Sequence, residues 1–353
     1  MLPGGAADEG IVVAPVDVRH PRRILRWVSQ QSPLPSPLEV RHAAVRIGGV
    51  AVRTPLRHSP TLSAKVGGEV FLKLESDQVG GSFKVRGALN ALLALAEDEL
   101  ALGVVASSAG NHGLGIAIAA ERLAVRATVF VPFTAPVVKR AAIEAHGARV
   151  DASQPNYDAA EAAAQAFARE TGATFVGPCT GRTLLAGAGT VGMEILEDLP
   201  HVGTVIVPVG GGGLCGGVGG YIRGTAKDVR IVGVQSERTN AMSLALKSGR
   251  ATTIPDLPTL AEGLAGLVND EMLAQGKAAL DSIVTVPEED IAESIAWLHR
   301  AEALVVEGAG AVGVAALRTG ALKPKEWPAV VVISGANIDK VRWEGIVAEG
   351  GPS

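Results

Sequence analysis

Three short stretches carry residue types that could do covalent or anion-binding chemistry. In GGSFKVRG, residues 80–87, one lysine, Lys84, follows a Gly-Gly-Ser approach and Phe83. A solvated lysine needs no such setting, whereas an amine held for Schiff-base work does. In GGGGLCGG, residues 210–217, four consecutive glycines follow the apolar run TVIVPV and precede a helix-like segment. Gly210, Gly211, Gly212, Gly213 and Leu214 can there bring backbone N–H groups close to an anion, and a helix N-terminus adds favourable potential. Four glycines in a row cost conformational entropy that a plain turn does not require. In SSAGNHG, residues 107–113, Ser108, Ala109, Gly110, Asn111 and His112 form a small-residue turn before an Ala-rich segment. Its hydroxyl, amide and N–H groups suit a carboxylate or a ring oxygen, and the same residues equally serve as a plain N-cap. Together a phosphate loop, a carboxylate-binding turn and a positioned lysine ask for a phosphorylated aldehyde cofactor and an amino acid.

A different class reads the glycine loop as the turn of a nicotinamide-dependent oxidoreductase. The loop departs from GxGxxG at Cys215, and the next strand, VGVQSE, offers Gln235 where a ribose-binding acid would stand. No GxxxxGK[ST] occurs, which argues against a nucleoside triphosphate.

The elements that must position these stretches alternate along the chain. GEVFLKLE (68–75) is strand-like, and SFKVRGALNALLALAEDEL is helical, with Ser82 expected as N-cap. ATVFVP (127–132), VRIVGVQSE and PAVVVISGANID (328–339) are further strands, while YDAAEAAAQAFARETG (157–172) is a Gly-terminated helix. Apolar strands alternating with helices predict an α/β fold with open, mostly parallel sheets and helices on both faces. Ligands in such folds sit where strand C-termini meet helix N-termini. PRRILRWVSQ (21–30) has a helical pattern, and QSPLPSPLEV (31–40), with three prolines, reads as a linker. The expected organisation is an N-terminal extension over 1–39, a large domain combining 40–101 with 179–353, and a small inserted domain over 102–178.

Composition excludes several classes. With 353 residues, 47% hydrophobic and 19% charged, the chain can bury a sizeable core and does not read as disordered. A net charge of −4 and an aromatic content of 3% disfavour nucleic acid as a partner. No apolar run reaches the ~18 residues that span a bilayer, and the N-terminus lacks a signal-peptide pattern, so the cytoplasm is the expected compartment. Two cysteines, Cys179 and Cys215, make no disulfide framework, and no spaced ligand cluster points to a metal.

Over residues 40–340 the chain resembles the fold-type II pyridoxal-phosphate enzymes, specifically the serine/threonine dehydratases. KLESDQVGGSFKVRGALN is similar to the family's lysine motif, SSAGNHG to its substrate loop, GGGGL to its phosphate loop and SGAN (334–337) to its C-terminal motif, in family order. The resemblance implies pyridoxal 5'-phosphate as cofactor, held as a Schiff base by Lys84. It also implies Phe83 against the ring, Asn111 on the ring hydroxyl, Gly210, Gly211, Gly212, Gly213 and Leu214 on the phosphate, and Ser334 facing the ring nitrogen. Ser108, Ala109, Gly110, Asn111 and His112 would receive the substrate carboxylate. A neutral hydroxyl at Ser334 would leave the ring nitrogen largely unprotonated and favour β-elimination over transamination. The implied reaction is α,β-elimination of water from an L-β-hydroxy amino acid, L-threonine or L-serine first, giving a 2-oxo acid and ammonia. The implied assembly is a homodimer.

Within the family, Val85 stands where sulfhydrylases and threonine synthases place Asp. Ala109 stands where racemases carry the serine that reprotonates the opposite face, so a weak serine racemase-like activity is the lesser alternative within the family. A racemase-like divalent site would need acids near Gln235 and Ala241, so no metal is expected. Two departures, Cys179 and Ala188, lie in GPCTGRTLLAGAGT, where Arg182 is either a surface arginine or a partner for the second carboxylate of 3-hydroxyaspartate. Phenylserine is a further alternative substrate. Glu262 and Glu307 occupy loops that could line the site. The segment after Asn337 is too short for a C-terminal regulatory domain, so feedback control of that kind is not expected.

Overall fold

A computed structural model describes residues 32–349. Ten strands form two sheets. The first six-stranded sheet contains β1 (Leu56–His58), β2 (Val70–Leu74), β7 (Thr204–Pro208), β8 (Arg230–Ser236), β9 (Ser282–Val286) and β10 (Ala329–Ile333), in the order β1-β2-β10-β7-β8-β9. Only β1 runs antiparallel to its neighbour. The second sheet contains β3 (Val104–Ser107), β4 (Ala127–Pro132), β5 (Arg149–Gln154) and β6 (Thr174–Phe175), all parallel, in the order β5-β4-β3-β6. The chain is thus α/β with two open, mostly parallel sheets, as its alternating apolar runs predict.

Alternation along the strands explains why helices cover both faces. In the larger sheet Ile206 and Val331 pack with Ile291, Ile295 and Val312 of the Glu288–Glu302 and Gly308–Arg318 helices. Their neighbours Val205, Val207, Val330 and Val332 point the other way, against Val191, Val218 and Ile222 of the Arg182–Asp198 and Gly213–Thr225 helices. The smaller sheet repeats the pattern. Val104 and Val129 face Ile116 and Ala120 of the Asn111–Arg122 helix, and Val105 and Phe130 face Ala160 and Ala164 of the Tyr157–Thr171 helix. Small residues let helices close on one another: a Cβ on Gly217 would lie 2.5 Å from the Leu185 carbonyl oxygen. Among the described residues no helix is long and apolar enough to cross a membrane.

The structure differs from the sequence reading in two places. The linker expected over 31–40 gives way at Pro37 to the Pro37–Ile47 helix. Ser36 caps it, Glu39 completes a capping box, and proline fits the first helical turn because its missing N–H is not needed there. Pro35 and Pro37 pack against Gly220 and Gly224 of the Gly213–Thr225 helix. The second difference is Ser82, which does not cap the next helix. The helix runs Lys84–Leu93 behind Phe83 and ends there, the rest of the expected helix forming a separate Glu97–Leu102 helix, and Ser82 instead bridges to Gly335. The segment 21–30 lies outside the described residues.

Candidate active site

The glycine loop leaves the C-terminal end of the fully buried β7 and turns into the 13-residue Gly213–Thr225 helix. Gly212 sits at φ 94°, in the left-handed region that only glycine adopts cheaply. Among the described residues no acceptor meets the N–H groups of residues 210–215, while Val209 still donates into β8 and Gly216 into its own helix. Side chains are excluded by neighbours: a Cβ on Gly211 would meet Cys179 Sγ at 2.9 Å, and one on Gly210 would meet Leu264 Cα at 3.0 Å. Consecutive free donors at a helix N-terminus, in a cradle that a methyl group would fill, fit a phosphate.

Lys84 is the first residue of its helix, and Nζ donates to the Pro178 carbonyl at 2.8 Å. It also lies 5.3 Å from the centroid of the Phe83 ring. The next residue, Cys179, is the one that touches Gly211 and Gly213, so one dipeptide links the amine to the glycine loop. Cys215, buried beneath that loop, has its thiol pushed up to about 12 by burial and by the neighbouring Cys179. It is therefore an inert packing residue.

Residues 81–83 pair with residues 334–336 beyond the end of β10. Phe83 N–H donates to the Ser334 carbonyl at 3.2 Å, Ser82 bridges Gly335, and Ala336 N–H donates to the Gly81 carbonyl at 2.9 Å. This pairing brings the buried Ser334 beside Phe83 and Lys84.

The turn between β3 and the Asn111–Arg122 helix closes the site. Ser108 Oγ accepts from Gly110 N–H at 3.1 Å; Gly110 lies open to the surface, and Ala109 is half-buried against the core of the smaller sheet. Asn111 Nδ2 donates to Glu307 Oε1 at 2.8 Å, while its Oδ1 accepts from Asn337 at 2.7 Å. Burial pushes the Glu307 carboxyl up to about 7, against the pull of the Asn111 bond and of Lys139 and Lys84. His112 is 2% exposed. Its Nε2 faces the Val176 carbonyl at 2.9 Å and must be the protonated nitrogen, which leaves Nδ1 without a partner among the described residues. Burial first, then the Lys84 charge, hold the imidazole down to about 3, so it is neutral.

Arg182 lies elsewhere. Its guanidinium pairs with Glu39 at 2.8 Å and lines a separate cavity of about 180 Å³ with His42, Arg46 and Asn90. That bond and Ser36 outweigh burial and hold the Glu39 carboxyl down to about 2. Glu262 pairs with Lys139 at 2.7 Å and with Arg342. Sequence reasoning missed Pro178, since a backbone carbonyl carries no signal, and left Asn337 unassigned although it stands within SGAN.

The profile of the pyridoxal-phosphate dependent enzyme family matches residues 48–335. The chain belongs to that family. It is 42% identical over 316 residues to an L-threonine ammonia-lyase of Thermotoga maritima, covering 88% of this chain and 78% of the relative. Among solved structures, maize serine racemase superposes with a TM-score of 0.85 at 28% identity, covering 90% of this chain and 98% of that one. Threonine deaminase isoform 2 of Solanum lycopersicum gives 0.82 at 30% identity, covering 91% and 96%. Pyridoxal phosphate is thus the cofactor of this family member, and the nicotinamide reading of the glycine loop falls away.

Proposed function

We propose that this family member is an ammonia-lyase that removes water from L-threonine, and from L-serine, to give a 2-oxo acid and ammonia. The carrying observation is that Pro178 and Cys179 touch both the Lys84 amine and the glycine loop, setting a nucleophilic amine beside a phosphate-shaped cradle. The relatives named for threonine ammonia-lyase and threonine deaminase support the same reaction.

In this reading the cofactor, when bound, supplies an electron sink for the charge left at the substrate α-carbon. The residues 210–215 bind its phosphate through backbone donors, and the Phe83 ring packs against it. Lys84 holds the cofactor, then as a free amine takes the α-proton. With no carboxylate in contact among the described residues, its amine is free to change partners. Asn111, fixed at both ends by Glu307 and Asn337, holds the ring oxygen. Ser108 and the N–H groups at the start of the Asn111–Arg122 helix receive the substrate carboxylate. Ser334 supplies a neutral hydroxyl at the ring nitrogen. The hydroxyl on the β-carbon departs as water, and a second water releases ammonia and the 2-oxo acid. Ala109 offers no proton donor for the opposite face, which favours elimination over racemisation.

A larger unit of 40–101 and 179–353, a smaller one of 102–178, a homodimer and a cytoplasmic setting belong to the same proposal. The four strands of the smaller sheet all fall within 102–178. The test is 2-oxo acid release by the pure protein from L-threonine, L-serine, both 3-hydroxyaspartate diastereomers and L-phenylserine. Turnover of threonine or serine is expected. Silence on these two with turnover of hydroxyaspartate or phenylserine would overturn the substrate assignment.

A further inference from the structure

Gln235, at the penultimate position of β8, is a fully buried polar side chain at the root of the glycine loop that the reaction leaves unused, with 0% exposure. A buried amide is costly unless each of its groups is paired. Here every bond goes to backbone. Nε2 donates to the Val209 carbonyl at 3.0 Å and to the Thr239 carbonyl at 2.8 Å, and Oε1 accepts from Ser243 N–H at 2.9 Å. The Ser243 donor fixes which end of the amide is oxygen, so both amine hydrogens face carbonyls.

These three anchors are not random backbone. Val209 is the residue directly before Gly210 and is the last loop residue tied into the sheet, through its own N–H to Val234. Thr239 and Ser243 flank the start of the Ala241–Ser248 helix. That helix carries Met242, whose Cε would lie 3.2 Å from a Cβ on Gly212. One amide therefore holds the root of the glycine loop and, through Met242, its outer wall. On its other side Met242 packs against Gly276, where a Cβ would meet its sulfur at 2.6 Å.

We infer that Gln235 is a positioning residue for the phosphate cradle, setting the aim of the N–H groups of residues 210–215 without touching the cofactor. The inference rests on the glycine loop being the phosphate site proposed above. It predicts a selective defect: disturbing Gln235 weakens recognition of the phosphate and leaves the chemistry at Lys84 intact.

The experiment compares the wild type with Gln235→Glu and Gln235→Met. Each is stripped of cofactor and titrated with pyridoxal 5'-phosphate and, separately, with phosphate-free pyridoxal, following visible absorption. Glutamate keeps the shape but, once ionised, donates to neither carbonyl; methionine keeps the volume and donates nothing. Both variants should lose at least about tenfold in pyridoxal phosphate affinity, the scale of losing two buried hydrogen bonds, while affinity for pyridoxal stays level. The glutamate variant should also bind pyridoxal phosphate more weakly as pH rises, because its neutral carboxyl still donates one bond and its carboxylate none. The methionine variant should show no added pH dependence. Equal losses for both ligands would mean that Gln235 only holds the scaffold, and would overturn the inference; so would unchanged affinity for both. A wild type that binds pyridoxal phosphate no better than pyridoxal would instead sink the assignment of the glycine loop itself.

Discussion

Two lysines in this protein stand close in sequence and are treated in opposite ways. Lys73, on β2, is fully buried and its Nζ meets Glu194 at 2.5 Å and the Thr54 carbonyl at 2.7 Å. Arg86 joins the same cluster, paired with Glu75 at 2.8 Å and with Glu194 at 2.6 Å, so two cations and two carboxylates neutralise one another out of water. Among the described residues, Lys84 has the Pro178 carbonyl and the face of Phe83 and no carboxylate partner. An amine kept for architecture is given a countercharge, because an unpaired buried ion is too costly. If Lys84 is the reactive amine proposed above, the absence of such a partner suits it, because a tight ion pair would hold its proton and block exchange of partners.

Breaking each side of that contrast should break different properties. Lys84→Ala should reduce 2-oxo acid release by about 10³-fold or more, in keeping with loss of a proton-transferring group, and abolish the visible absorption of bound cofactor. Its thermal midpoint should barely move. Lys73→Met should do the reverse, lowering stability by about 3 kcal/mol in urea denaturation, since Glu194 loses a buried partner while Arg86 remains. Activity per folded molecule should survive.

Glu307 sharpens the comparison from the acid side, as a carboxyl packed without a cation in contact. Burial raises its value from 4.5 to about 7, so the folded protein binds its proton more tightly than the unfolded chain does. Stability should therefore be lost as pH rises from about 4.5 through 7. Glu307→Gln should remove that portion of the pH dependence, read as the difference between the two denaturation profiles. The exposed Lys139–Glu262 pair should matter least. Lys139→Ala should cost no more than about 1 kcal/mol, and added salt should shrink the difference.

How much of this was legible in the chain depends on the range of the contacts involved. Local signals read well: β4 coincides with ATVFVP, and the Tyr157–Thr171 helix ends on the left-handed Gly172. Periodicity also carried the fold class, because one-in, one-out alternation and helical spacing are properties of neighbouring residues. The Pro37–Ile47 helix was readable too, through the Ser-Pro-Leu-Glu capping box, but three prolines concealed it. Long-range partners were not readable. Ser82 has the residue type of a cap, yet Gly335 claims it from the far end of the sequence. Glu307 stood out as a loop acid, but nothing local shows that it grips Asn111. Arg182 could be taken for a substrate ligand until Glu39 was seen to hold it. Of the three stretches singled out, residue types marked where chemistry could occur, and only the folded chain shows how Pro178 and the pairing of residues 81–83 with 334–336 bring them together.

The place of β10 has a consequence for how the molecule is made. It is the last of the described strands in sequence, yet it lies between β2 and β7. While the ribosome is still translating residues before 329, the larger sheet has a gap at its centre, with β2 and β7 lacking their shared neighbour. The Lys84 approach likewise waits for residues 334–336. A nascent chain can thus complete its smaller sheet before residue 329 is made, whereas the pairing that sets Phe83 and Lys84 beside Ser334 waits until residues 334–336 have emerged.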